Sequence, residues 1–369
     1  MNILILNLIL TTAEKGVITR RNSIKDTMIA NFAMGFIKNG HTVTIIAADD
    51  FRPLDEEKYE FNIIYLKSRY PKIFKPSLLP FPIGLRNFLK ENIAKFDLVV
   101  SSEAFSMTTL LGYDICKEKL VIWQEMALHQ HFLFKLPAKI WYNIITRFIT
   151  KKQLVIPRSL PAYHFIKKYH NNVSQRCVDH GSNDDLFKPI NDQDNSFVIV
   201  SQLIKRKNID KIIRNFNELL KNPKYNNYLL HIIGDGEEYQ NLKRLIIQLD
   251  AENNIILHGF MEHSRLYAYI AKAKGLLIDT SQDNNMVSIS ESILCGTPVL
   301  TNTIPTNSSF IESNKLGVAK DNWNEQDLIE FINNYDSYHS NCIAKRDLLT
   351  NVGATKSMIE IYSNWIKTR

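Results

Sequence analysis

Short apolar runs alternate with helix-forming segments along the whole chain, and this alternation limits the possible folds more than any other feature. The runs predict strands at 2–10, 41–48, 61–66, 96–102, 119–123 and 153–157, and again at 196–203, 229–233, 254–260 and 275–279. Strands that are apolar throughout and separated by helices are typical of parallel sheets covered on both faces. The sequence therefore predicts two doubly wound, Rossmann-like α/β domains.

The length of the chain also favours two domains. It has 369 residues with 45% hydrophobic content, and single cores rarely grow beyond about 250–300 residues. A polar stretch at 191–196 separates the two series of strands. We therefore predict a first domain over 1–190 and a second over 191–354, followed by a helical segment over 355–369.

Charge and cysteine usage restrict the setting and the partners. Lys and Arg exceed Asp and Glu by 7, and the pI of about 9.0 favours an anionic partner. The cysteines form neither a CxxC pair nor a metal-like cluster, which is typical of a reducing cytoplasm. The apolar start lacks the basic region of a signal peptide, and no apolar run approaches the ~18 residues of a transmembrane helix. We expect a cytoplasmic protein.

The segment from 275 to 296 is the strongest candidate for a functional site. It predicts a strand at 275–279, a polar turn, and a helix at about 286–295 that Gly296 ends. Asp283 precedes this helix, and Glu291 lies a turn and a half inside it. Amides without an intrahelical partner suit a diphosphate; here they belong to Asn284, Asn285, Met286 and Val287. A capped core helix is the alternative interpretation.

This segment resembles the Glu-x7-Glu signature of the retaining glycosyltransferases of family 4, which have the two-domain GT-B fold. Asp283 stands at the first acidic position and Glu291 at the second. The resemblance implies that Asp283 holds the donor sugar, that the amides of 284–287 meet the diphosphate, and that Glu291 binds the ribose. It also implies that the last helix packs back on the first domain.

The segment IVSQLIKRKNID (199–210) resembles the stretch of that family in which an Arg and a Lys neutralise the diphosphate. Lys207 stands at the position of the Lys, whereas Gln202 replaces the Arg. Because glutamine carries no charge, Arg206 or Lys205 would have to supply the missing cation. The resemblance implies that Lys207 is catalytic and that Gln202 and Arg206 lie beside the donor. A solvated basic turn is the alternative.

Two further segments of the second half fit the same family. The segment 231–245 has a Gly-Asp-Gly turn, in which Gly234 is expected near the donor. The strand at 254–260 resembles the one whose end borders the nucleobase, so that His258 is a candidate lining residue. Turn geometry alone would explain Gly234, and packing would explain His258.

The first half resembles the family more loosely. Gly16 lies on the loop after the first strand, where relatives carry glycines that face the diphosphate. Glu125 follows the strand after which many relatives have an active-site His, and the resemblance implies a catalytic role facing the donor sugar. A helix-capping or interdomain role for Glu125 is the alternative. The facing strand ends of the two domains are expected to form a cleft.

Two segments of the first half interleave basic and aromatic or aliphatic residues, at 67–90 and 132–152. Such mixtures suit the interface of an anionic bilayer, although an amphipathic helix buried in the core would look the same. Together with the resemblance, they favour a polyprenyl-diphosphate-linked saccharide as the acceptor. We therefore predict peripheral association with the inner face of the cell membrane.

Two other patterns suggest metal sites but lack the right context. Asp192-Gln193-Asp194 spells an Asp-x-Asp motif, yet it lies in a polar linker before a strand. His129 and His131 lack a third ligand at zinc-site spacing. The sequence therefore predicts a metal-independent enzyme without a cofactor.

The resulting hypothesis is a retaining glycosyltransferase that uses a nucleotide-sugar donor in capsule, O-antigen or exopolysaccharide assembly. A nucleotide-sugar epimerase of the same fold is one alternative. A non-catalytic donor-binding subunit is another, because Gln202 replaces a charged residue. Nucleic-acid binding is not expected, since no recognised module accompanies the basic charge.

Overall fold

The computed structural model describes residues 1–11, 17–18, 20–25, 27–130, 135–182, 185–283 and 285–369, although not the side chain of His263. It divides the chain into two compact units. The first unit contains Met1–Gly181 and Asn351–Arg369, and the second contains Ser182–Thr350. The division falls at 181/182, where the sequence placed the boundary at 190/191.

Each unit is built on one six-stranded sheet in the described part of the chain. The strands of the first unit are β1 (Asn2–Leu6), β2 (Thr42–Ala48), β3 (Asn62–Leu66), β4 (Leu98–Ser102), β5 (Leu120–Gln124) and β6 (Leu154–Pro157). Those of the second unit are β7 (Ser196–Val200), β8 (Leu229–Ile233), β9 (Ile255–Gly259), β10 (Gly275–Leu277), β11 (Val299–Thr301) and β12 (Gly317–Ala319).

The two sheets have the same topology. The strand orders are β3-β2-β1-β4-β5-β6 and β12-β11-β10-β7-β8-β9, which is one arrangement read from opposite edges. All the pairings within these sheets are parallel. The order reverses next to the first strand of each unit, where doubly wound folds bind their ligands. The predicted doubly wound α/β class is therefore confirmed.

Helices connect the strands and close the chain. They are α1 (Met28–Lys38), α2 (Leu85–Asn92), α3 (Met107–Cys116), α4 (Leu136–Trp141, continued as a π-helix over Tyr142–Ile149), α5 (Leu160–Ile166), α6 (Ile209–Leu220), α7 (Tyr239–Gln248), α8 (His263–Lys272), α9 (Val287–Leu294), α10 (Ser308–Asn314), α11 (Glu325–Asn333), α12 (Tyr335–Lys345) and α13 (Asn351–Lys367). Among the described helices, none is both long and apolar enough to cross a bilayer.

The alternation of strand side chains explains the burial of both sheet faces. In β7, Phe197 and Ile199 enter one hydrophobic cluster while Val198 enters another. In β5, Trp123 packs in the main cluster of the first unit and Ile122 in a second cluster. Since successive residues of a strand point to opposite faces, a strand covered on both sides must be apolar throughout. This is the pattern on which the sequence prediction rested.

The first helix begins later than its sequence signal suggests. A capping box at Ser23 and Asp26 predicts a start near 24, but α1 begins at Met28 with Thr27 as its cap. The Ser23 hydroxyl instead donates to Glu57 and accepts from the amide of Lys25, while Asp26 lies outside the described residues. A polar side chain that finds a distant partner therefore overrides the local capping signal.

The final helix packs against α1 inside the first unit. Asn351 donates its side-chain amide to the carbonyl of Asn31 at 2.9 Å, and Asn39 donates to Thr355 at 2.8 Å. Gly35 permits this approach, because a Cβ there would lie 2.2 Å from the carbonyl oxygen of Asn351. The backbone of α1 thus lies directly against the start of α13.

We expect Gly35→Ala to destabilise the first unit by roughly 1–3 kcal/mol, because the new methyl group overlaps backbone atoms that cannot move independently. Urea denaturation followed by circular dichroism measures the change. Gly112→Ala in α3 is the matched control, since its nearest new contact would be 3.4 Å away, and it should stabilise by roughly 0.5–1 kcal/mol. Equal effects of the two substitutions would contradict the assignment.

Candidate functional site

In the second unit, the loop that follows β10 is anchored by a buried carboxylate. Asp279 accepts hydrogen bonds from Asn208 at 2.9 Å and from Lys211 at 2.7 Å, and it is 3% exposed. Asn302, which follows β11, donates to the carbonyl of Thr280 at 2.6 Å. These bonds connect the loop to the start of α6 and to the neighbouring strand. The position of the next residues is thereby fixed.

Asp283 is the centre of a cationic cluster on this loop. Its Oδ2 accepts from the ammonium group of Lys207 and, at 3.1 Å, from Nη1 of Arg206. Lys207 is buried, and Arg206 also donates to the carbonyl of Gln282. The structure thus brings together three of the residues that the sequence placed beside the donor. Arg206 supplies a second positive charge to this cluster, whereas Gln202, at the family position of an arginine, supplies none.

A cavity of about 300 Å³ opens beside this cluster. Its lining joins the end of β7, the cationic cluster and the first turns of α9; these residues are Val200, Ser201, Gln202, Lys207, Asp283, Asn285, Met286, Val287, Ser288 and Glu291. Predicted donor-binding residues from both segments therefore line one cavity. Arg206 reaches it through its contact with Asp283. Asn284, the remaining residue of the predicted 284–287 amides, lies outside the described residues.

The start of α9 has partners that the sequence does not reveal. The amides over 284–287 are predicted to lack an intrahelical partner, and the amide of Met286 donates to Oδ1 of Asn307, outside the helix, at 3.3 Å. Asn307 also donates to the carbonyl of Met286 at 2.9 Å, and Thr306 donates to the side chain of Asn285 at 3.0 Å. Met286 therefore has a hydrogen-bond partner from outside the helix. A helix start can be capped by a side chain from a distant loop, which local spacing does not reveal.

Glu291 and Gly296 occupy the positions that the sequence assigned to them within this helix. Glu291 is the fifth residue of α9, is 4% exposed and lines the cavity. Gly296 follows the helix with φ of 77°, the left-handed conformation that ends it. A carboxylate so buried needs polar partners.

Gly234 packs against a residue of the cavity wall and does not itself line the cavity. The described lining of the cavity does not include Gly234, whose absent Cβ would lie 1.8 Å from the carbonyl oxygen of Ser201. Its φ of 145° also suits glycine alone. The glycine lets the strand end approach the loop that carries Gln202. Its role in the structure is close packing beneath the candidate donor site.

His258 lies in a histidine pair rather than in the described lining of the cavity. Its Nε2 is 3.0 Å from Nδ1 of His231 on the adjacent strand, and both rings pack against Tyr269. Burial lowers the pKa of both histidines, and the pKa of His231 is lowered further by His258. The pair is therefore held neutral in the folded protein.

The histidine pair predicts acid sensitivity of the second unit. Since the folded pKa values lie below 6.5, the unfolded chain takes up protons first as the pH falls, and stability present above about pH 6.5 is lost below it. His258→Asn should lower neutral stability slightly and reduce the acid-induced loss. Urea unfolding at about pH 7.5 and about pH 5.5 measures both effects. His164→Asn, at an exposed histidine, should leave the pH dependence unchanged.

In the first unit, three neighbouring strands each end directly before a charged residue. Glu103 follows β4, Glu125 follows β5 and Arg158 follows β6. Nη1 of Arg158 donates to Glu125 at 2.5 Å, and the carboxylate of Glu103 accepts the amides of Glu125 and Met126 at 2.7 and 3.2 Å. Burial and the nearby Glu125 carboxylate raise the pKa of Glu103 to about 8. The predicted residue Glu125 is thus fixed from two sides.

Arg158 is held by a second set of contacts on its buried side. Its Nη2 donates to Asp179 at 2.9 Å and lies 2.8 Å from Nδ1 of His180, and the guanidinium stacks over Trp123. Although burial opposes it, the proximity of His180 and Arg158 lowers the pKa of Asp179. The guanidinium therefore has little freedom to reorient. Gly16, the other predicted residue of this unit, lies outside the described residues.

Sequence reasoning missed Glu103, Arg158 and Asn307. The first two could have been found, because each is the first residue after a predicted apolar strand, and such positions collect at the carboxyl edge of a parallel sheet. Asn307 had no comparable signal, since it lies on an irregular loop 21 residues beyond Met286. Within the described residues, no group of three or more His, Cys, Asp or Glu side chains is placed to hold a metal ion.

A larger cavity of about 480 Å³ in the same unit lies between α6 and α7. Its walls mix basic residues such as Arg214 and Arg244 with acidic ones such as Asp210 and Glu238. Of the residues that the sequence considered for donor binding, its lining contains only Lys205, one of the two alternatives for the missing cation. We therefore consider the smaller cavity beside Asp283 to be the candidate site.

The second unit matches a known protein family over most of its length. Residues 183–336 match the family model described as "Glycosyl transferases group 1". Over 321 residues the chain is 21% identical to an uncharacterized glycosyltransferase of Haemophilus influenzae, covering 84% of this chain and 86% of that protein. The stretch that matches this family model lies within the second unit and contains all the residues that line the cavity.

Solved structures support the fold of the whole chain. Sucrose-phosphate synthase from Thermosynechococcus elongatus superposes with a TM-score of 0.66 at 13% identity, covering 100% of both chains. HepE of Anabaena, in a complex with UDP, gives a TM-score of 0.63 at 16% identity and covers 100% of this chain and 99% of its own. These similarities confirm the predicted GT-B class of fold.

Proposed function

From a group 1 glycosyltransferase domain that contains the candidate site, we propose that the protein transfers a sugar from a nucleoside-diphosphate donor to an acceptor hydroxyl with retention of the anomeric configuration. The observation that carries the proposal is the cavity in which buried Lys207 meets Asp283 beside Glu291. The UDP bound to the structurally similar HepE supports a nucleotide donor of this kind.

The charges around Asp283 suit exchange of partners when a donor binds. Lys207 and Arg206 both contact one carboxylate oxygen of Asp283. A diphosphate entering the cavity would offer these cations stronger, multiply charged acceptors. Asp283 would then be released to accept hydrogen bonds from the hydroxyls of the sugar. In this exchange, Lys207 and Arg206 would bind the diphosphate while Asp283 would bind the sugar.

In this proposal, catalysis depends on stabilising the negative charge that grows on the leaving diphosphate. Lys207 and the remaining amides at the start of α9 supply positive potential, and Glu291 accepts hydrogen bonds from the ribose. Glu125, fixed by Arg158 and by the amide contacts of Glu103, is the proposed polar group of the first unit that faces the sugar. No step of this scheme uses a metal ion.

The donor assignment is tested by binding. We expect nucleoside-diphosphate sugars to raise the melting temperature of the protein, with one base and sugar clearly preferred. Glu291→Gln should weaken the preferred donor by about 1–3 kcal/mol, because a charged acceptor for ribose hydroxyls is lost. Glu330→Gln, at an exposed site in the same unit, should leave affinity unchanged. Full affinity in Glu291→Gln would refute the assignment to ribose.

The leaving-group role of Lys207 is tested by turnover. Lys207→Ala should lower kcat by roughly a hundredfold while changing the Kd of the donor much less, because the charge on the diphosphate grows in the transition state. Lys243→Ala, at an exposed lysine of α7 that lines neither cavity, is the matched control and should retain activity. Equal losses of affinity and of turnover in Lys207→Ala would contradict the role.

We further propose that the acceptor is a saccharide carried on a polyprenyl diphosphate, in assembly of a capsule, O-antigen or exopolysaccharide repeat. The basic and aromatic character of 67–90 and 132–152 supports an acceptor presented at an anionic membrane on the inner face of the cell. Release of nucleotide that requires lipid extract from such a membrane would separate transfer from epimerisation, which needs no acceptor.

A further inference from the structure

The helical segment 136–149 is apolar on two opposite faces. Its inner face places Ala138, Trp141 and Tyr142 in a buried cluster of the first unit. The indole of Trp141 donates to the carbonyl of Ala104 at 2.8 Å, which fixes the orientation of the segment. A surface helix of a soluble domain normally has polar residues on the face opposite its buried one.

The outer face of this segment instead carries a row of large apolar side chains. Leu136, Ile140, Ile144 and Phe148 are spaced by four residues and are 59%, 51%, 53% and 62% exposed. A spacing of four exceeds one α-helical turn and falls short of one π-helical turn, so the mixed segment keeps the row aligned. We call these four residues the outer stripe.

A basic row runs beside the outer stripe at the same spacing. Lys139, Asn143, Arg147 and Lys151 are all exposed, the last of them just beyond the helix. Arg147 donates to the carbonyl of Lys168, which keeps its charge near the helix. Apolar side chains flanked by cations are typical of helices that lie in the interface of an anionic bilayer.

The second basic and aromatic segment packs against the same buried cluster. Phe74, Leu79 and Phe81 pack against the buried cluster that holds Trp141. Ile73, which directly precedes Phe74, is 70% exposed, and the neighbouring Lys72 is exposed as well. Two segments that are far apart in the sequence therefore present apolar and basic side chains from one underlying cluster.

The charge distribution of the chain is concentrated on these regions. Residues 126–178 contain nine Lys and Arg and no Asp or Glu, and residues 61–90 contain six and none. The rest of the chain has more acidic than basic residues. A second copy docking about a twofold axis would bring two such basic surfaces together, which is unfavourable. An anionic partner is favoured on charge alone.

We propose that the outer stripe, together with Ile73 and the adjacent basic row, binds the surface of an anionic lipid bilayer with α4 and its continuation lying in the membrane plane. The inference specifies the membrane partner of the proposed function, but it rests on exposure and charge and requires no catalytic step. Apolar side chains enter the acyl boundary, and Lys and Arg contact lipid phosphates.

Vesicle flotation tests the proposal directly. The wild-type chain should bind vesicles of equimolar phosphatidylcholine and phosphatidylglycerol and bind phosphatidylcholine vesicles far less, with binding weakened by salt. Ile144→Ser with Phe148→Ser should lower partitioning at least roughly tenfold. Lys139→Gln with Lys151→Gln should lower it roughly fivefold for each charge.

Matched variants outside the surface separate this effect from general hydrophobicity and charge. Ile247→Ser with Phe260→Ser removes two exposed apolar side chains from the second unit, and Lys243→Gln with Lys272→Gln removes two exposed charges there. Both should bind as the wild type does. Binding by the stripe variant equal to that of the wild type, or equal losses in the controls, would overturn the proposal.

Two further readouts complete the test. Phe148→Trp should show a blue-shifted tryptophan emission on adding anionic vesicles and no shift with neutral ones. Light scattering of the wild type and of the stripe variant reports the oligomeric state. A dimer that the stripe substitutions dissociate, with vesicle binding unchanged, would identify a second copy as the occupant and refute the lipid surface. Loss of vesicle binding with intact donor binding leaves the proposed donor site standing.

Discussion

Parallel pairing of β10 with β7 is the constraint on which the candidate site depends. Because Leu276 lies opposite Val198, the two strands end at the same edge of the sheet. The chain leaving β7 carries Lys207, and the chain leaving β10 carries Asp283, so their ion pair follows from strand direction and order. A hydrogen-bonded buried Asp279 fixes one loop, and the close approach of Gly234 to Ser201 fixes the other.

The same rule organises the first unit, although its chemistry differs. There the carboxyl ends of three adjacent strands carry Glu103, Glu125 and Arg158. The buried guanidinium of Arg158 forms an ion pair with Glu125 and so connects the ends of β5 and β6. The two units therefore share a strand order and a way of presenting charge, and in each the more deeply buried member of the ion pair is a cation. In the second unit a buried lysine meets a carboxylate on the cavity wall. In the first unit a buried arginine pairs with an exposed carboxylate.

The sequence was sufficient for β1 to β10 and for most residues that line the candidate site. Strands that are apolar at every position, such as β6, were located because both faces of the sheets are covered. The short strands β11 and β12 were missed, since three residues give no periodic signal. Partners contributed by distant loops could not be predicted either: Asn307 at Met286 and Glu57 at Ser23 depend on tertiary contacts that leave no local pattern.

The ion pairs of Asp283 have a consequence for which anions can occupy the cavity. The carboxylate acts as a counterion for Lys207 and Arg206. Inorganic phosphate would have to displace this counterion without bringing sugar hydroxyls to it. A nucleotide sugar brings both the displacing anion and the hydroxyls that the displaced carboxylate can accept. On the proposed function, the internal salt bridge is thus a filter that favours complete donors over the abundant small anions of a cell.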